Sequence, residues 1–386
     1  MAAIAPLRWG IMGTGWISSK FVLDLLVAPA TRGVSDVAHE VYAVGSRGEG
    51  KAKTFVDTYY KEAGVAGAEK VKLHSSYESL LADEGVQAIY VGTPHSHHYQ
   101  NVHAALSAGK NVLCEKAFTA NADQAKALVA LAREKNLFLM EAVWTRFQPF
   151  AYKLQEILRS GVIGEIRSAQ AELNVDFTKT AKADPSHRLV NPDLCGGSLL
   201  DLGPYPWTQL FLALMPEPST GAAHPLPKIA ASMTKTFTGV DCSTIAVIQF
   251  PQPDGRVVHG TLTTSQDSQT PHGRVSVVQG NLGYVEVQWA TYRPEGLVYK
   301  SWKTEEEYAE GGKPEKEESF SFVPRPGGIW GFAWEADEVA RCLRDGKKES
   351  ERMPLRDTVL MMEVFDEIRK QGELVYPEAV ETLELA

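Results

Sequence analysis

The sequence predicts a doubly wound α/β amino-terminal domain, followed by an α+β domain with a large, mostly antiparallel open sheet. Up to residue 145, short apolar strands without polar alternation alternate with helical stretches, which is typical of a parallel sheet covered on both faces. Beyond Trp144, β-rich segments punctuated by Gly, Pro and Asp predominate, as in an antiparallel sheet. The 386 residues suffice for two domains, predicted at residues 1–145 and 146–386.

The first predicted domain is built from repeated strand–helix units. Apolar residues at helical spacing predict helices at 16–27, 98–108 and 121–135. The predicted strands lie at 7–13, 40–45, around 72, 86–91, 111–115 and 137–142.

The second predicted domain opens with a helix at 150–160. Asp254-Gly255 and Asn281-Leu282-Gly283 are typical of hairpin turns. Residues 303–319 hold ten charges, which predicts a solvated loop. Two helices, at 333–345 and 357–370, are predicted to pack back on the first domain. The predicted strands lie at 165–176, 228–237, 242–250, 256–264, 273–279 and 283–289.

Composition excludes several classes of protein. Apolar residues make up 44% of the chain, which argues against disorder, and the net charge is −9. The sequence has no dense Lys/Arg run, so it does not suggest a nucleic-acid groove or a polybasic membrane anchor. No apolar stretch approaches the roughly 18 residues of a membrane span. The first residues lack a secretory pattern and the four cysteines lie far apart, so we expect a cytoplasmic protein with buried thiols.

The strongest motif is Gly13-Thr14-Gly15-Trp16-Ile17-Ser18, which follows a predicted strand and opens a predicted helix. Gly13 permits a tight turn, Gly15 lets a pyrophosphate approach the backbone, and the helix terminus offers N–H groups. The motif therefore predicts a Rossmann-like dinucleotide site. Ser18 stands where a third Gly or Ala is usual, so the match is imperfect.

Ser46 and Arg47 follow the second predicted strand, with Lys51 soon after. An NAD site places Asp or Glu there to bind the ribose 2′-hydroxyl, and a carboxylate would repel a 2′-phosphate. A guanidinium and a hydroxyl instead bind that phosphate. The sequence thus favours NADP over NAD.

The run Thr93-Pro94-His95-Ser96-His97-His98 follows the fourth predicted strand, where loops of a parallel sheet line the cofactor crevice. Three histidines suggest a metal, but no carboxylate or Cys accompanies them at ligand spacing, so none is predicted. His95 and His98 are expected to hydrogen-bond near the nicotinamide ribose, and His97 to be exposed.

Two further features bear titratable groups. Lys116 closes a buried strand at the same crevice, which favours a role in proton transfer over a solvated surface charge. Asp201 and Tyr205 follow a glycine-rich approach and, four residues apart on a helix, share one face.

Three motifs together resemble the glucose–fructose oxidoreductase/inositol dehydrogenase family. In chain order, they are the glycine motif, the Glu115-Lys116 pair and the run from Gly196 to Tyr205. The resemblance covers essentially the whole chain. The segment from Trp144 to Phe147 and the terminal pair of helices are similar to one branch of it. That branch holds dimeric dihydrodiol dehydrogenases and fungal NADP-dependent D-xylose 1-dehydrogenases.

The resemblance implies that Lys116 and Tyr205 are catalytic, with Asp201 beside them. Ala117 departs from the family, which usually has Pro after Glu-Lys, and Tyr205 stands where many members have His. The cofactor contacts that we predict are Gly13, Thr14, Gly15, Trp16, Ile17, Ser46, Arg47, Lys51, Thr93, Pro94, His95, His98, Glu115, Lys116, Trp144 and Arg146. The predicted substrate contacts are Lys116, Trp144, Phe147, Asp201 and Tyr205.

The expected reaction is oxidation of a cyclic aldose at C1, with D-xylose giving D-xylono-1,5-lactone by hydride transfer to NADP⁺. Tyr205 is the expected base, with its ionised form favoured by the ammonium of Lys116. Three alternatives stay open: a trans-1,2-dihydrodiol dehydrogenase, a glycosidase that uses NAD transiently, and a non-catalytic NAD(P)-binding regulator. The family also suggests a homodimer formed through the open face of the sheet.

Overall fold

The computed structural model describes residues 4–48, 50–181, 184–216 and 224–385. The chain divides into two compact units. The first unit comprises Met1–Phe147, Pro324–Val359 and Glu381–Ala386, and the second comprises Gln148–Val323 and Leu360–Val380. Among the residues described, no helix is both long and apolar enough to cross a lipid bilayer.

The first unit contains a parallel six-stranded sheet. Its strands are β1 (Leu7–Met12), β2 (His39–Gly45), β3 (Lys72–His74), β4 (Ala88–Val91), β5 (Asn111–Glu115) and β6 (Leu139–Ala142). They are ordered β3-β2-β1-β4-β5-β6 and all neighbours are parallel. This order, which reverses direction between β1 and β4, is that of a doubly wound sheet and confirms the predicted fold class of this part.

Five helices connect these strands. They are α1 (Trp16–Leu26), α2 (Lys51–Ala63), α3 (Tyr77–Ala82), α4 (His98–Ser107) and α5 (Ala122–Glu134). The ring of Phe21, on α1, stacks on that of Tyr90, on β4, with 3.9 Å between the ring centroids. This contact lies in the buried layer between the sheet and its helices, so it packs α1 against β4.

The second unit contains an eight-stranded sheet. Its strands are β7 (Ile166–Asn174), β8 (Lys228–Lys235), β9 (Asp241–Pro251), β10 (Val257–Ser265), β11 (Ser276–Gly280), β12 (Gly283–Val287), β13 (Gly296–Ser301) and β14 (Lys316–Ser321). The order is β14-β13-β12-β11-β7-β10-β9-β8, with β7 and β10 parallel and the other neighbours antiparallel. The sheet is mostly antiparallel, as predicted, and both predicted hairpin turns join paired strands.

The other α-helices that the structure describes follow Phe147. They are α6 (Pro149–Arg159), α7 (Thr178–Ala181), α8 (Ser198–Leu202), α9 (Pro204–Leu214), α10 (Glu305–Ala309), α11 (Phe332–Arg344), α12 (Leu355–Gln371) and α13 (Glu378–Glu381). In the first unit, the carboxylate of Asp24 on α1 accepts hydrogen bonds from the backbone N–H groups of Phe332 and Ala333, at 2.8 and 3.2 Å. Asp24 therefore holds the amino terminus of α11 against α1.

The prediction of a solvated loop at residues 303–319 is wrong in part. Thr304 caps α10 by accepting the backbone N–H of Glu307, and Lys316–Ser321 pairs with β13 as β14. Charged side chains suit an edge strand because they discourage pairing with another chain. Because β14 has no apolar face, the alternation of polar and apolar residues could not predict it.

Candidate functional site

The turn after β1 has the geometry of a phosphate-binding loop. Gly13 has a φ of +100°, and a Cβ there would lie 3.1 Å from the carbonyl oxygen of Gly92, so a larger residue is disfavoured. Gly15 is the N-cap of α1, with no side chain capping the helix and no acidic residue in its first turn. No side chain therefore caps the backbone N–H groups of Trp16 and Ile17 at the start of the helix. Uncapped N–H groups of this kind bind an anionic pyrophosphate.

Ser18 occupies the position of the usual third glycine. Its side chain is fully buried, and a Cβ on Gly92 would overlap its Oγ atom. The turn therefore accommodates Ser18 because the residue that faces it, at the end of β4, is itself a glycine.

Ser46 and Arg47 lie at the end of β2, as predicted. Ser46 is buried, whereas Arg47 is exposed and its guanidinium carbon lies 6.0 Å from the ring centre of Tyr77, the first residue of α3. Burial raises the pKa of Tyr77, and Arg47 opposes that rise by attraction and hydrogen bonding. Lys51 begins α2 and lines a cleft of about 570 Å³ that also reaches Thr14 in the glycine loop. These cations stand at the end of β2, where a ribose 2′-phosphate would be expected.

The loop after β4 is organised around His98. Its ring nitrogens lie 2.9 Å from the carbonyl oxygen of Ala117 and 2.8 Å from that of Thr93. Burial lowers the pKa of His98 to about 4, so the ring is neutral at pH 7 and has a single N–H to donate to these oxygens. His98 therefore joins the loops after β4 and β5, while its contact with a cofactor stays a prediction.

The other residues of this loop differ in exposure. Pro94, His95 and His97 are half-buried. His97 Nδ1 lies 2.9 Å from Ser96 Oγ, and burial together with the charge of Arg47 lowers the pKa of His97. His97 is therefore less exposed than the sequence suggested. In the part of the chain that the structure describes, no group of three or more His, Cys, Asp or Glu side chains is placed to hold a metal ion.

Glu115 ends β5 and Lys116 follows it, both in a buried setting. Both side chains are almost completely removed from solvent, and Tyr90 donates a 2.7 Å hydrogen bond to Oε1 of Glu115. Ala117 follows a cis peptide bond and is fully buried. A lysine in this position is shielded from water, so its charge acts more strongly on nearby groups than a solvated lysine would.

The segment after β6 is packed into the first unit. Trp144 stacks on Phe332 with 4.3 Å between ring centroids. Arg146 is buried and its Nη1 atom lies 3.0 Å from Oδ2 of Asp357. Phe147 is also buried. The ion pair gives Arg146 a structural partner, which the sequence did not predict.

In the second unit, Asp241 anchors the approach to α8. Its Oδ2 atom accepts hydrogen bonds from Ser198 Oγ at 2.6 Å and from the backbone N–H of Leu199 at 2.8 Å. Gly197 has a φ of +122°, and a Cβ there would overlap the Asp241 carboxylate. The glycine-rich segment before α8 therefore leaves room for this buried carboxylate to bind the first turn of the helix.

Asp201 and Tyr205 lie on α8 and α9, which meet at Gly203. Gly203 itself has helical dihedral angles, so the two side chains are one helical turn apart, as predicted. Both residues are buried. Nη1 of Arg188 lies 3.1 Å from Oδ1 of Asp201, and the rings of Tyr205 and Tyr292 are 5.6 Å apart. A carboxylate, a guanidinium and a phenol thus meet in one place.

Comparison with known proteins decides the family. Residues 7–143 match an oxidoreductase family with an NAD-binding Rossmann fold, and residues 152–286 match the GFO/IDH/MocA carboxy-terminal domain. The chain is 42% identical to a D-xylose 1-dehydrogenase (NADP(+)) of Hypocrea jecorina, covering 97% of this chain and 94% of that protein. The chain belongs to the GFO/IDH/MocA oxidoreductase family.

Further relatives agree with this assignment. The chain is 34% identical to a trans-1,2-dihydrobenzene-1,2-diol dehydrogenase of Bos taurus, over 96% of this chain and 98% of that one. Its fold is that of a solved 3-ketoreductase from Actinomadura kijaniata, with a TM-score of 0.73, 24% identity and coverage of 95% and 98% of the two chains. The family resemblance and the enzyme class predicted from the sequence are confirmed.

A dinucleotide of the kind that GFO/IDH/MocA oxidoreductases use fits the residues present. The positive φ of Gly13, the uncapped terminus of α1 and the cations after β2 form a cradle for the phosphates of such a cofactor. In the first unit, the predicted cofactor contacts lie at the carboxyl ends of parallel strands or in the segments that follow them.

Several residues of these sites were not predicted. Tyr77 and Asp241 lie far along the chain from the residues they contact, Arg188 is separated from Asp201 by a loop, and none of the three belongs to a recognisable motif. The one available signal is the glycine pair Gly196-Gly197, because adjacent glycines before a helix indicate a close approach of other groups.

Proposed function

We propose that this protein oxidises a cyclic aldose at C1 with NADP⁺ as the acceptor, converting D-xylose to D-xylono-1,5-lactone. The observation that carries the proposal is the 42% identity to the fungal D-xylose 1-dehydrogenase (NADP(+)), which extends over nearly all of both chains. The dihydrodiol dehydrogenases match over a similar length at 33–34% identity. The sugar is therefore favoured over the diol.

The residues that would hold the cofactor lie in the first unit. Gly13, Gly15 and the first turn of α1 would bind the pyrophosphate, and Ser46 with Arg47 would bind the 2′-phosphate. When bound, the oxidised nicotinamide supplies the acceptor for the hydride of C1. The exposed guanidinium of Arg47, already in contact with Tyr77, supports the preference for NADP⁺ over NAD⁺.

Tyr205 would accept the proton of the C1 hydroxyl. A tyrosine ordinarily ionises near pH ~10, so a nearby positive charge is needed to favour its ionised form at neutral pH. The buried amine of Lys116 is the proposed source of the positive charge that favours the phenolate. Asp201 would accept a hydrogen bond from a sugar hydroxyl, and Trp144 and Phe147 would offer flat apolar surfaces to the C–H bonds of the sugar.

Two features beyond the reaction complete the proposal. Ile245, Val247 and Val257 are exposed apolar side chains on neighbouring strands β9 and β10, which supports a homodimer through this face of the sheet. Light scattering that gave the mass of a monomer would contradict the dimer. A cytoplasmic location and a role in D-xylose catabolism stay predictions.

A substrate panel tests the reaction. Purified protein is assayed at 340 nm with NADP⁺ and NAD⁺, using D-xylose, other aldoses and a benzene dihydrodiol. The proposal predicts the highest kcat/KM for D-xylose with NADP⁺. A higher value for the dihydrodiol favours the second dehydrogenase, and binding of NADP⁺ without reduction on any substrate favours a regulator.

The variant Tyr205→Phe tests the base. It should reduce kcat with D-xylose by about a hundredfold or more, because general bases contribute about 10²–10⁴-fold. Tyr299→Phe is the control, since Tyr299 is similarly buried in the second unit. Near-full turnover in Tyr205→Phe would contradict the proposed role.

A further inference from the structure

We propose that Lys20 and Trp16 bind the pyrophosphate of the dinucleotide, with Trp330 as a positioning residue for both side chains. The ammonium of Lys20 pairs with a phosphate oxygen, and the indole of Trp16 lies over the same phosphates. This inference deepens the proposed function, because it rests on a pyrophosphate bound at the glycine loop. It does not depend on which substrate the protein oxidises.

The side chains in question form a cluster on one face of α1. Trp16, Lys20 and Asp24 follow one another at intervals of four residues and therefore share that face. The indoles of Trp16 and Trp330 meet edge to face, with 5.5 Å between the ring centroids. The Nζ atom of Lys20 lies 5.8 Å from the ring centre of Trp16 and 5.4 Å from that of Trp330. The ammonium is therefore held beside two indoles, one of which belongs to the glycine motif.

Asp24 holds Trp330 beside α1. Its Oδ1 atom accepts the backbone N–H of Trp330 at 2.7 Å, and its Oδ2 atom accepts that of Gly331 at 2.8 Å. Asp24 is buried, so water does not compete with these hydrogen bonds. The backbone at Trp330 is thereby fixed to the helix, and the ring of Trp330 is kept next to Lys20 and Trp16.

The charge of Lys20 lies where a helix without a bound anion would disfavour it. Side chains of a helix lean towards its amino terminus, so Lys20 extends over the first turn of α1. That end of a helix carries a partial positive charge, and the first turn of α1 contains no acidic residue. Across the described part of the chain, no carboxylate oxygen lies within 4.0 Å of the Lys20 ammonium. An anion at the first turn would balance both positive charges.

The indole of Trp16 is suitably placed to cover such an anion. It is 61% exposed, although single exposed apolar side chains are common on protein surfaces. Trp16 differs from most of them because it is the first residue of α1 and directly follows Gly15 of the glycine loop. A dinucleotide bound there would cover part of the indole, and removing this apolar surface from water favours binding.

Titration calorimetry with both cofactors tests this inference, because NADP⁺ and NAD⁺ share the pyrophosphate. Lys20→Met should raise both dissociation constants by about tenfold, since a hydrogen bond between charged groups is lost. Lys20→Arg keeps the charge and should raise them by less than about threefold. Trp16→Ala should raise both by about three- to tenfold. Unchanged constants in Lys20→Met would overturn the inference.

Lys72→Met is the matched control. The ammonium of Lys72 lies 4.8 Å from the ring centre of Tyr42 in the same unit, so this variant also removes a cation beside an aromatic ring. Lys72 begins β3, at the amino end of that parallel strand, and its loss should change neither dissociation constant. A rise for NADP⁺ alone in Lys20→Met would also overturn the inference, because Lys20 would then bind the 2′-phosphate.

Quenching of tryptophan fluorescence by acrylamide tests the contact with Trp16 directly. The emission of Trp16 is obtained as the difference between the parent protein and Trp16→Phe. Acrylamide should quench this emission strongly in the free protein and much less after saturation with NADP⁺. Equal quenching in the two states would mean that the cofactor does not cover the indole, which contradicts the inference.

The binding data separate this inference from the proposed function. If Gly13→Ala weakens NADP⁺ binding and Lys20→Met does not, the glycine loop binds the pyrophosphate without Lys20, and this inference alone fails. If neither variant weakens binding, the proposed cofactor site fails as well. A lack of D-xylose oxidation changes none of these measurements. Lys20→Gln replaces Lys20→Met if the latter does not fold.

Discussion

The phenol of Tyr90 donates a 2.7 Å hydrogen bond to Oε1 of Glu115, and both side chains are buried in the first unit. Tyr90 also stacks on Phe21, so the same ring joins α1 to the end of β5. The hydrogen bond therefore couples the helix that begins at the glycine loop to β5, the strand that Lys116 follows.

The variant Tyr90→Phe should lower the free energy of unfolding by about 1–3 kcal/mol, since it leaves a buried carboxylate without this donor. The measurement is urea unfolding followed by circular dichroism. Tyr152→Phe, at a side chain that is 50% exposed, is the control and should change stability little. Equal stability of the two variants would show that the Tyr90–Glu115 bond contributes nothing.

The variant Gly13→Ala should weaken NADP⁺ binding by about tenfold or more, because its methyl group would press on Gly92 within the loop. Gly33→Ala is a matched control, since Gly33 also has a positive φ, +74°, but has open space around it. The positive φ costs either alanine about 1–3 kcal/mol of folding free energy. Titration calorimetry with NADP⁺ compares their dissociation constants, and equal values would contradict a phosphate site at Gly13.

The variant Arg47→Met should raise the KM for NADP⁺ by about 10–100-fold, because a hydrogen bond to a charged group contributes about 1.5–3 kcal/mol. The KM for NAD⁺ should hardly change, since NAD⁺ lacks the 2′-phosphate. Lys53→Met, on an exposed face of α2, controls for the loss of one positive charge. If both cofactors were affected equally, Arg47 would not be the group that selects NADP⁺.

Glu141 should make stability fall as the pH rises. Burial raises its pKa to about 8, while an unfolded glutamate has a pKa near ~4.3. The folded chain thus keeps a proton that the unfolded chain releases, so this contribution is complete below ~4.3 and is lost as the pH approaches 8. Glu141→Gln should flatten the dependence of the unfolding free energy between pH 5.5 and 8. Glu134→Gln, at an exposed side chain, should leave the slope unchanged.

The sequence was informative where a local pattern determines the structure. The glycines at 13 and 15, and the apolar run of β1 before them, predict a turn whose geometry the structure reproduces. Ser46-Arg47 could be placed because it follows β2 directly. Each of these features is determined by a few neighbouring residues, so residue type and spacing are sufficient to predict it.

The features that the sequence did not predict depend on residues distant in the chain. Asp241 holds α8 from the first residue of β9, and no local pattern around it indicates that role. The same holds for Arg188, whose surroundings resemble a surface loop. Strand β14 was missed for another reason, because its charges leave no apolar alternation to detect.

The contact between Ser18 and Gly92 changes what the phosphate-loop pattern means. In the usual pattern, a third small residue on the helix leaves room for close packing. Here Gly92, after β4, provides that room from the other side of the turn. The requirement for a small residue is thus met at position 92 as well as at position 18. A motif search that requires Gly or Ala at position 18 would therefore miss such a protein. A side chain at 92 would also lie 2.9 Å from Cε1 of Tyr90, so glycine at 18 would not by itself make room for one there.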